Sequence, residues 1–239
     1  MTLRPTKCEI GLRTIKFLGH IIGVHGISPS PDIITKITNA SRPETVKQLR
    51  SFLGMIGSYR RFIPNFAEIA TPLTDLTTKG RPHKLDWGDA QETSFSALKR
   101  YVVSSPVLMS PDFDKPFYLQ TDASQLDIGA VLLQEADDGT KHPIAFASKK
   151  LLPREVNYST IEKECLAIVW SVQKFQDYLY GKRFFLETDH QPLQYLGRHQ
   201  FQNGRLMRWA LALQPYCFTI HAIRGRDNVG ADFLSRHAL

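Results

Sequence analysis

Two aspartates follow short apolar runs that are typical of buried β-strands. Asp122 ends the run 117–121 (FYLQT), and Asp189 ends the run 184–188 (FFLET). Carboxylates at the ends of two neighbouring strands project from the same edge of a sheet. Hard divalent cations such as Mg²⁺ bind oxygen ligands, and two such ions about 4 Å apart can activate a water and stabilise the leaving oxygen of a phosphodiester. This pair therefore predicts metal-assisted hydrolysis of a phosphodiester.

Two more carboxylates lie on predicted helices that could reach the same edge. Glu164 lies in a long helix predicted over 162–178, and Asp232 lies in a short one predicted over 229–234. Glu162 competes with Glu164, because it lies two positions earlier on another face of the helix. A strand-end Asp often caps a turn and a helical Glu is usually solvated, so a structural role stays open for each residue. Four carboxylates on one edge would repel each other unless cations were bound.

The elements that must position these residues fall into two parts. Residues 117–239 predict a mixed α/β (α+β) domain with a five-stranded sheet and flanking helices. Its strands are predicted at 117–121, 128–134, 144–148, 184–188 and 218–223, and its remaining helices at 193–196 and 206–213. Upstream, the patterns predict a strand pair over 15–24, a turn over 26–31, and helices over 44–62, 72–76 and 89–103. The resulting division is 1–42, a helical domain 43–103, a linker 104–116, and the α/β domain 117–239.

Composition indicates a globular protein with a basic surface. Hydrophobic residues make up 42% and charged residues 22%, which argues against disorder. No apolar run reaches the ~20 residues that a membrane helix needs, and residues 1–11 do not resemble a signal peptide. The net charge of +7 suits a polyanionic partner. The three cysteines have no zinc-site spacing and are expected to be buried free thiols in a reducing compartment.

Short segments in a fixed order give the chain a specific resemblance. They are FLGH at 17–20, LRSFLGMIGSYRRFIPNFA at 49–67, TDAS at 121–124, GAVL at 129–132, ECLA at 164–167, TDHQPL at 188–193 and ADFLSR at 231–236. Together they resemble the Pol polyprotein of gypsy-like LTR retrotransposons. The resemblance implies the end of a reverse transcriptase palm at 1–42, a thumb at 43–103 and an RNase H domain at 117–239. It implies endonucleolytic cleavage of the RNA strand of RNA–DNA hybrids.

The resemblance also assigns roles that the residues alone leave open. It makes Asp122, Glu164, Asp189 and Asp232 the catalytic metal ligands, choosing Glu164 over Glu162, and it implies two Mg²⁺ ions, with Mn²⁺ as a substitute. Implied partners are the RNA–DNA hybrid and the remainder of the reverse transcriptase, at an intracellular site in virus-like particles or the nucleus. The polymerase aspartates of the family would precede residue 1, so this chain alone is not expected to make DNA.

Further contacts are weaker expectations. The proposed nucleic-acid contacts are Lys47, Arg50, Arg60, Arg61, Arg205 and Arg208, each of which could equally be an exposed solubilising charge. His221 could aid product release, although an outward-facing strand histidine is the simpler interpretation. The alternative function is a catalytically silent binding module with the same fold.

Overall fold

The first described elements form a small antiparallel sheet. The computed structural model describes residues 11–24, 26–78, 85–104, 107–188 and 203–223. Within these ranges the first strands are β1 (Thr14–Phe17), β2 (His20–Gly23) and β3 (Gly26–Pro29), in the order β1-β2-β3. The predicted strand pair over 15–24 is confirmed. The predicted turn over 26–31 is wrong, because Gly26–Pro29 pairs with β2 and Ile27 also bridges Leu108.

A layer of helices follows, which we call the helical layer. It comprises α1 (Pro31–Thr38), α2 (Val46–Gly57), a 3₁₀ turn (Arg60–Phe62), α3 (Phe66–Asp75) and α4 (Asp89–Val103). A capping box begins α2, where the Thr45 hydroxyl accepts from the N–H of Gln48 and the Gln48 side chain accepts from the N–H of Thr45. The helix predicted to begin at Pro72 begins at Phe66 instead and contains Pro72 near its end.

The second half of the described chain is a mixed five-stranded sheet with flanking helices, as predicted. Its strands are β4 (Phe117–Ala123), β5 (Asp127–Glu135), β6 (Lys141–Lys150), β7 (Arg183–Thr188) and β8 (Cys217–Ala222). In the order β6-β5-β4-β7-β8, the first three are antiparallel neighbours, and β7 runs parallel to both β4 and β8. The helices are α5 (Pro153–Val156), α6 (Thr160–Lys174), α7 (Gln176–Leu179) and α8 (Gly204–Leu213).

Two apolar cores lie on the two faces of this sheet. On one face, α6 and α8 pack on residues such as Leu119 and Leu186. On the other face, the helical layer packs on Val131, Leu133 and Phe146. The two halves of the chain therefore share a core. Among the described residues, every helix is too short or too polar to span a bilayer.

The predicted linker is packed. Leu108 is fully buried, and it exchanges backbone hydrogen bonds with Ile27 of β3. The buried Gln134 side chain accepts from the N–H of Asp112 at 2.8 Å and donates to the Asp112 carbonyl at 2.6 Å. These contacts fix the linker against both sheets, so it is a structural element of the interface.

The outer edge of β6 is covered by the helical layer. Arg60 donates to the carbonyl of Ser148 at 2.5 Å, and Arg61 donates to that of Ile144 at 3.4 Å. The N–H of Ala67 donates to the Ser148 hydroxyl at 2.8 Å. Backbone carbonyls of a sheet edge are strong acceptors that would otherwise need water or another strand. The helical layer thus satisfies this edge.

Cysteine placement corrects one expectation. Cys165 is buried and burial raises its thiol pKa to about 12, whereas Cys217 is exposed. Cys8 lies outside the described residues. The helices predicted over 193–196 and 229–234 also lie outside them.

Replacing Gly26 with alanine is expected to destabilise the fold strongly. Gly26 has φ +126°, which L-residues rarely adopt, and a Cβ there would collide with the carbonyl oxygen of Leu108. We expect Gly26→Ala to lower the free energy of unfolding by more than about 2 kcal/mol in a denaturant titration. Gly139→Ala is the control, because Gly139 has φ +79° but open space around it, and its cost should be about 1 kcal/mol. Equal losses in both variants would contradict the Leu108 collision.

Replacing Arg60 should weaken the contact between the helical layer and β6 more than replacing Arg61. Arg60→Ala leaves the Ser148 carbonyl without its charged donor, and we expect a loss of about 2–3 kcal/mol in the free energy of unfolding. The longer bond of Arg61, whose buried Nε makes no hydrogen bond among the described residues, should make Arg61→Ala the milder change. Denaturant unfolding of both variants tests this order, and the reverse order would refute it.

Candidate active site

Asp122 lies exposed at the second-to-last position of the central strand β4. The strand forms because alternating apolar residues such as Leu119 face the core. Asp122 pairs with Gly129 of β5 across the antiparallel ladder. The following turn is fixed by Ser124, whose hydroxyl accepts from the N–H of Asp127 at 2.9 Å. The predicted strand-end position of Asp122 is confirmed.

The N-terminal half of α6 packs beside this strand end. Lys163 donates to the carbonyl of Gln125 at 3.1 Å, which ties the helix to the turn after β4. Leu166 and Ala167 pack in one cluster with Ala123. Glu164, between these contacts, is only 6% exposed. The helix therefore holds a buried carboxylate close to the edge that carries Asp122.

Glu162, the competing glutamate, is engaged in capping and ion-pair contacts. It completes the capping box of α6, where its carboxylate accepts from the N–H and the hydroxyl of Ser159. Its other oxygen accepts from Asn203 at 3.0 Å and forms an ion pair with Arg205 at 2.7 Å. The Ser159 N–H, supported by Asn203 and Arg205, holds the pKa of Glu162 below its usual value. Glu162 thus caps the helix and anchors α8.

The other two predicted ligands cannot be placed. Asp189 directly follows Thr188, the last residue of β7, and it lies outside the described residues, as does Asp232. Within the described ranges, no three His, Cys, Asp or Glu side chains form a cluster suited to a metal ion. Asp122 and Glu164 are therefore the part of the predicted site that the structure describes.

A narrow crevice beside Asp122 contains residues that the sequence did not single out. Asn65 and Glu68 of the helical layer line it together with Asp127. Asn65 begins α3 in the left-handed conformation, at φ 47°, which asparagine tolerates better than most residues. Asp127 is 9% exposed, and its buried Oδ1 accepts no hydrogen bond within the described part of the chain. Burial, and secondarily the nearby Glu68, raise the pKa of Asp127, while Lys150 opposes the shift.

The predicted nucleic-acid contacts divide into two groups. Five of the six arginines and lysines are engaged within the protein, Arg208 through a bond from its Nε to the Gly204 carbonyl at 3.2 Å. Arg60 and Arg61 bind the edge of β6, Arg50 donates to the Thr77 carbonyl at 2.9 Å, and Arg205 pairs with Glu162 and lies over the Tyr158 ring. For these residues too, contact with nucleic acid stays a prediction. Lys47 and Arg208 are exposed, and contact with nucleic acid stays a prediction for them.

His221 lies exposed on the edge strand β8. Its ring stacks on Phe185 with centroids 4.6 Å apart, and Phe185 stacks in turn on Tyr118. This agrees with an outward-facing strand histidine held by its neighbours. An auxiliary part in product release stays a prediction.

Comparison with protein families identifies a domain within the chain. Residues 112–216 match the model of an RNase H-like domain found in reverse transcriptase. A retrovirus-related Pol polyprotein from transposon 297 of Drosophila melanogaster is 43% identical over 99% of this chain and 22% of its own length. The Tf2-3 transposon polyprotein of Schizosaccharomyces pombe is 36% identical over 99% of this chain and 18% of its own length. The chain thus spans about a fifth of the length of the curated relatives it matches.

Solved structures share the fold. A foamy viral protease-reverse transcriptase in complex with double-stranded DNA superposes with a TM-score of 0.77 at 22% identity, over 90% of this chain and 45% of that one. The same kind of protein in complex with an RNA/DNA hybrid gives a TM-score of 0.73 at 23% identity, over 89% of this chain and 29% of that one. The likeness covers the helical layer as well as the five-stranded sheet.

Replacing Asp127 with asparagine should stabilise the protein in a pH-dependent way. The pKa of Asp127 is raised in the folded state, so its charged carboxylate destabilises the fold at pH values above that folded-state pKa. The destabilisation disappears as pH falls from the folded-state pKa toward the pKa of Asp127 in the unfolded chain. We expect Asp127→Asn to raise the melting temperature at pH 7, with a difference from wild type that shrinks as pH falls. The exposed Asp114→Asn serves as the control. A pH-independent difference would contradict the burial of a charged Asp127.

Proposed function

We propose that this protein cleaves the RNA strand of RNA–DNA hybrids. Residues 112–216 match an RNase H-like domain found in reverse transcriptase, and nearly the whole chain is similar to Pol polyproteins of LTR retrotransposons. The observation that carries the proposal is that Asp122 lies near the end of the central strand, and that the helix carrying the buried Glu164 packs on the next strand residue, Ala123. The solved relative that holds an RNA/DNA hybrid supports the substrate class.

The donors suit a hard divalent cation. Asp122 and Glu164 offer oxygen ligands, and a carboxylate as buried as Glu164 is favoured by nearby positive charge. We propose that Asp122, Glu164, Asp189 and Asp232 hold two Mg²⁺ ions, with Mn²⁺ able to replace them. When bound, such ions lower the pKa of an attacking water and stabilise the departing 3′ oxygen.

The inclusion of Asp189 is a proposal from the sequence, because Asp189 itself lies outside the described residues. Gln120 of β4 pairs with Glu187 of the parallel strand β7. Two residues further along the chain from each member of that pair stand Asp122 and Asp189. Successive side chains along a strand alternate between faces, so a step of two residues keeps the same face.

The chain's own residues would prepare the site before substrate arrives. Packing around Leu166 and the Lys163 bond to Gln125 fix α6, so Glu164 needs little reorganisation. Glu162 is kept apart by its capping and ion-pair contacts, so it does not compete for the cation. No protein nucleophile is required. RNA would be distinguished from DNA through its 2′-hydroxyls in the minor groove.

Cleavage of an end-labelled RNA–DNA hybrid tests the function. We expect the wild-type protein with Mg²⁺ to cut only the RNA strand, and EDTA to abolish cutting. Asp122→Asn and Glu164→Gln should each lower the rate by about 100-fold or more while leaving the protein folded.

Glu162→Gln is the matched control, two residues from Glu164 on the same helix. It should lower thermal stability but retain the cleavage rate per folded molecule. Loss of cleavage in Glu162→Gln with retention in Glu164→Gln would overturn the assignment. A folded wild-type protein that binds the hybrid but cuts nothing in Mg²⁺ or Mn²⁺ would instead identify a silent binding module.

A further inference from the structure

A basic cleft follows the outer edge of β6, between α3 and α6. It has a volume of about 420 Å³, which falls within the range of ligand pockets. Thr71 and Thr74 line it from α3, and Trp170 and Lys174 line it from α6. Its floor is the end of β6, where Arg60 covers the strand edge. The cleft exists because the helical layer and α6 pack on opposite faces of one sheet.

The cleft concentrates positive charge. Arg60, Lys149, Lys150 and Lys174 line it, and none of the described lining residues is acidic. Lys149 and Lys150 are paired with carboxylates outside the wall, so Arg60 and Lys174 give the cleft its positive balance, which favours an anionic ligand.

Two of these lysines are held in place from outside the cleft. Lys149 binds both carboxylate oxygens of Glu155, at 3.0 and 3.1 Å, and Lys150 binds both oxygens of Asp75, at 3.0 and 3.2 Å. An ammonium group has three N–H donors, so each lysine keeps one for a ligand. Holding them in one position lowers the entropy lost on binding.

Lys174 is the least engaged cation of the four. It lies exposed in the last turn of α6 and makes no ion pair within the described residues. Its charge is therefore available to a ligand at the open end of the cleft. The neighbouring Trp170 packs against two groups of buried apolar side chains, one around Leu119 and one around Leu166. This packing holds that wall of the cleft in place.

The cleft adjoins the candidate active site. Ser148 lines the cleft, and it also lines the crevice that contains Asp122. A strand bound in the cleft would thus pass close to the sheet edge that carries Asp122.

We propose that this cleft binds the sugar–phosphate backbone of a nucleic-acid strand, as a second contact with the hybrid away from the cut phosphodiester. The proposal rests on the proposed function, because it names a backbone-binding subsite for the same substrate. Phosphate oxygens would accept from Lys174, Lys149 and Lys150, with the threonine hydroxyls beside them. Such contacts are independent of base sequence and weaken as salt rises.

The test measures binding of a fluorescein-labelled RNA–DNA hybrid to the full chain. Fluorescence anisotropy reports the binding, and EDTA is present so that no cleavage occurs. Lys174→Gln should raise Kd about threefold or more, and it should reduce the slope of log Kd against log salt by about 0.9 between about 50 and 200 mM. Lys174→Arg keeps the charge and should bind like wild type. Lys36→Gln removes an equally exposed helical lysine far along the chain from the cleft, and it should leave Kd and slope unchanged.

The outcomes separate this proposal from the proposed function. An unchanged Kd and salt slope in Lys174→Gln would overturn the proposal that the cleft binds nucleic acid, even if the protein cuts hybrids normally. An equal change in Lys36→Gln would overturn it as well. A wild-type protein that binds with the expected differences between variants but cuts nothing in Mg²⁺ supports the cleft and refutes the nuclease. Failure of the wild type to bind the hybrid in EDTA refutes the cleft, and the cleavage assay with Mg²⁺ then decides the nuclease separately.

Discussion

The outer edge of a sheet exposes backbone groups that need hydrogen-bond partners. In this protein the helical layer covers that edge at β6, and the shared core, the crevice beside Asp122 and the basic cleft all depend on this contact. Arg60, Arg61 and the N–H of Ala67 satisfy that edge from the helical layer. The same contact seals an apolar core around Phe146 and brings the start of α3 beside Asp122. The basic cleft is a product of this arrangement, since its floor is the covered edge.

One helix shows how neighbouring residues of the same type acquire different properties. Glu162 lies in the first turn of α6, where unpaired N–H groups and the positive end of the helix dipole favour a carboxylate. Glu164, half a turn further on, faces the packed side of the helix and is buried. Helical geometry therefore determines which glutamate caps the helix and which one is buried. The sequence pattern alone left this choice open.

Local patterns predicted the regular elements and missed the long-range contacts. The helix α4 has the predicted bounds, Asp89–Val103, and the turn at Gly139 separates β5 and β6 as expected. The segment 26–31 was misassigned because its glycine and prolines are typical of a turn, whereas pairing with β2 and Leu108 makes it a strand. Hydrogen bonds such as Arg60 to Ser148 join residues 88 positions apart, and no local pattern signals them. For the site, strand periodicity placed Asp122, but the roles of Asp189 and Asp232 still rest on the family resemblance.

The packed linker has a consequence for how this protein can be divided. Leu108 and Gln134 bind the connecting segment to both sheets, and the core on one sheet face draws residues from both halves. A fragment that began at residue 117 would expose the apolar side chains of Val131, Leu133 and Phe146 to water. The unit that folds together is thus larger than the 112–216 match to the RNase H-like model, and a transplanted domain would need a replacement for the apolar contacts that the helical layer supplies.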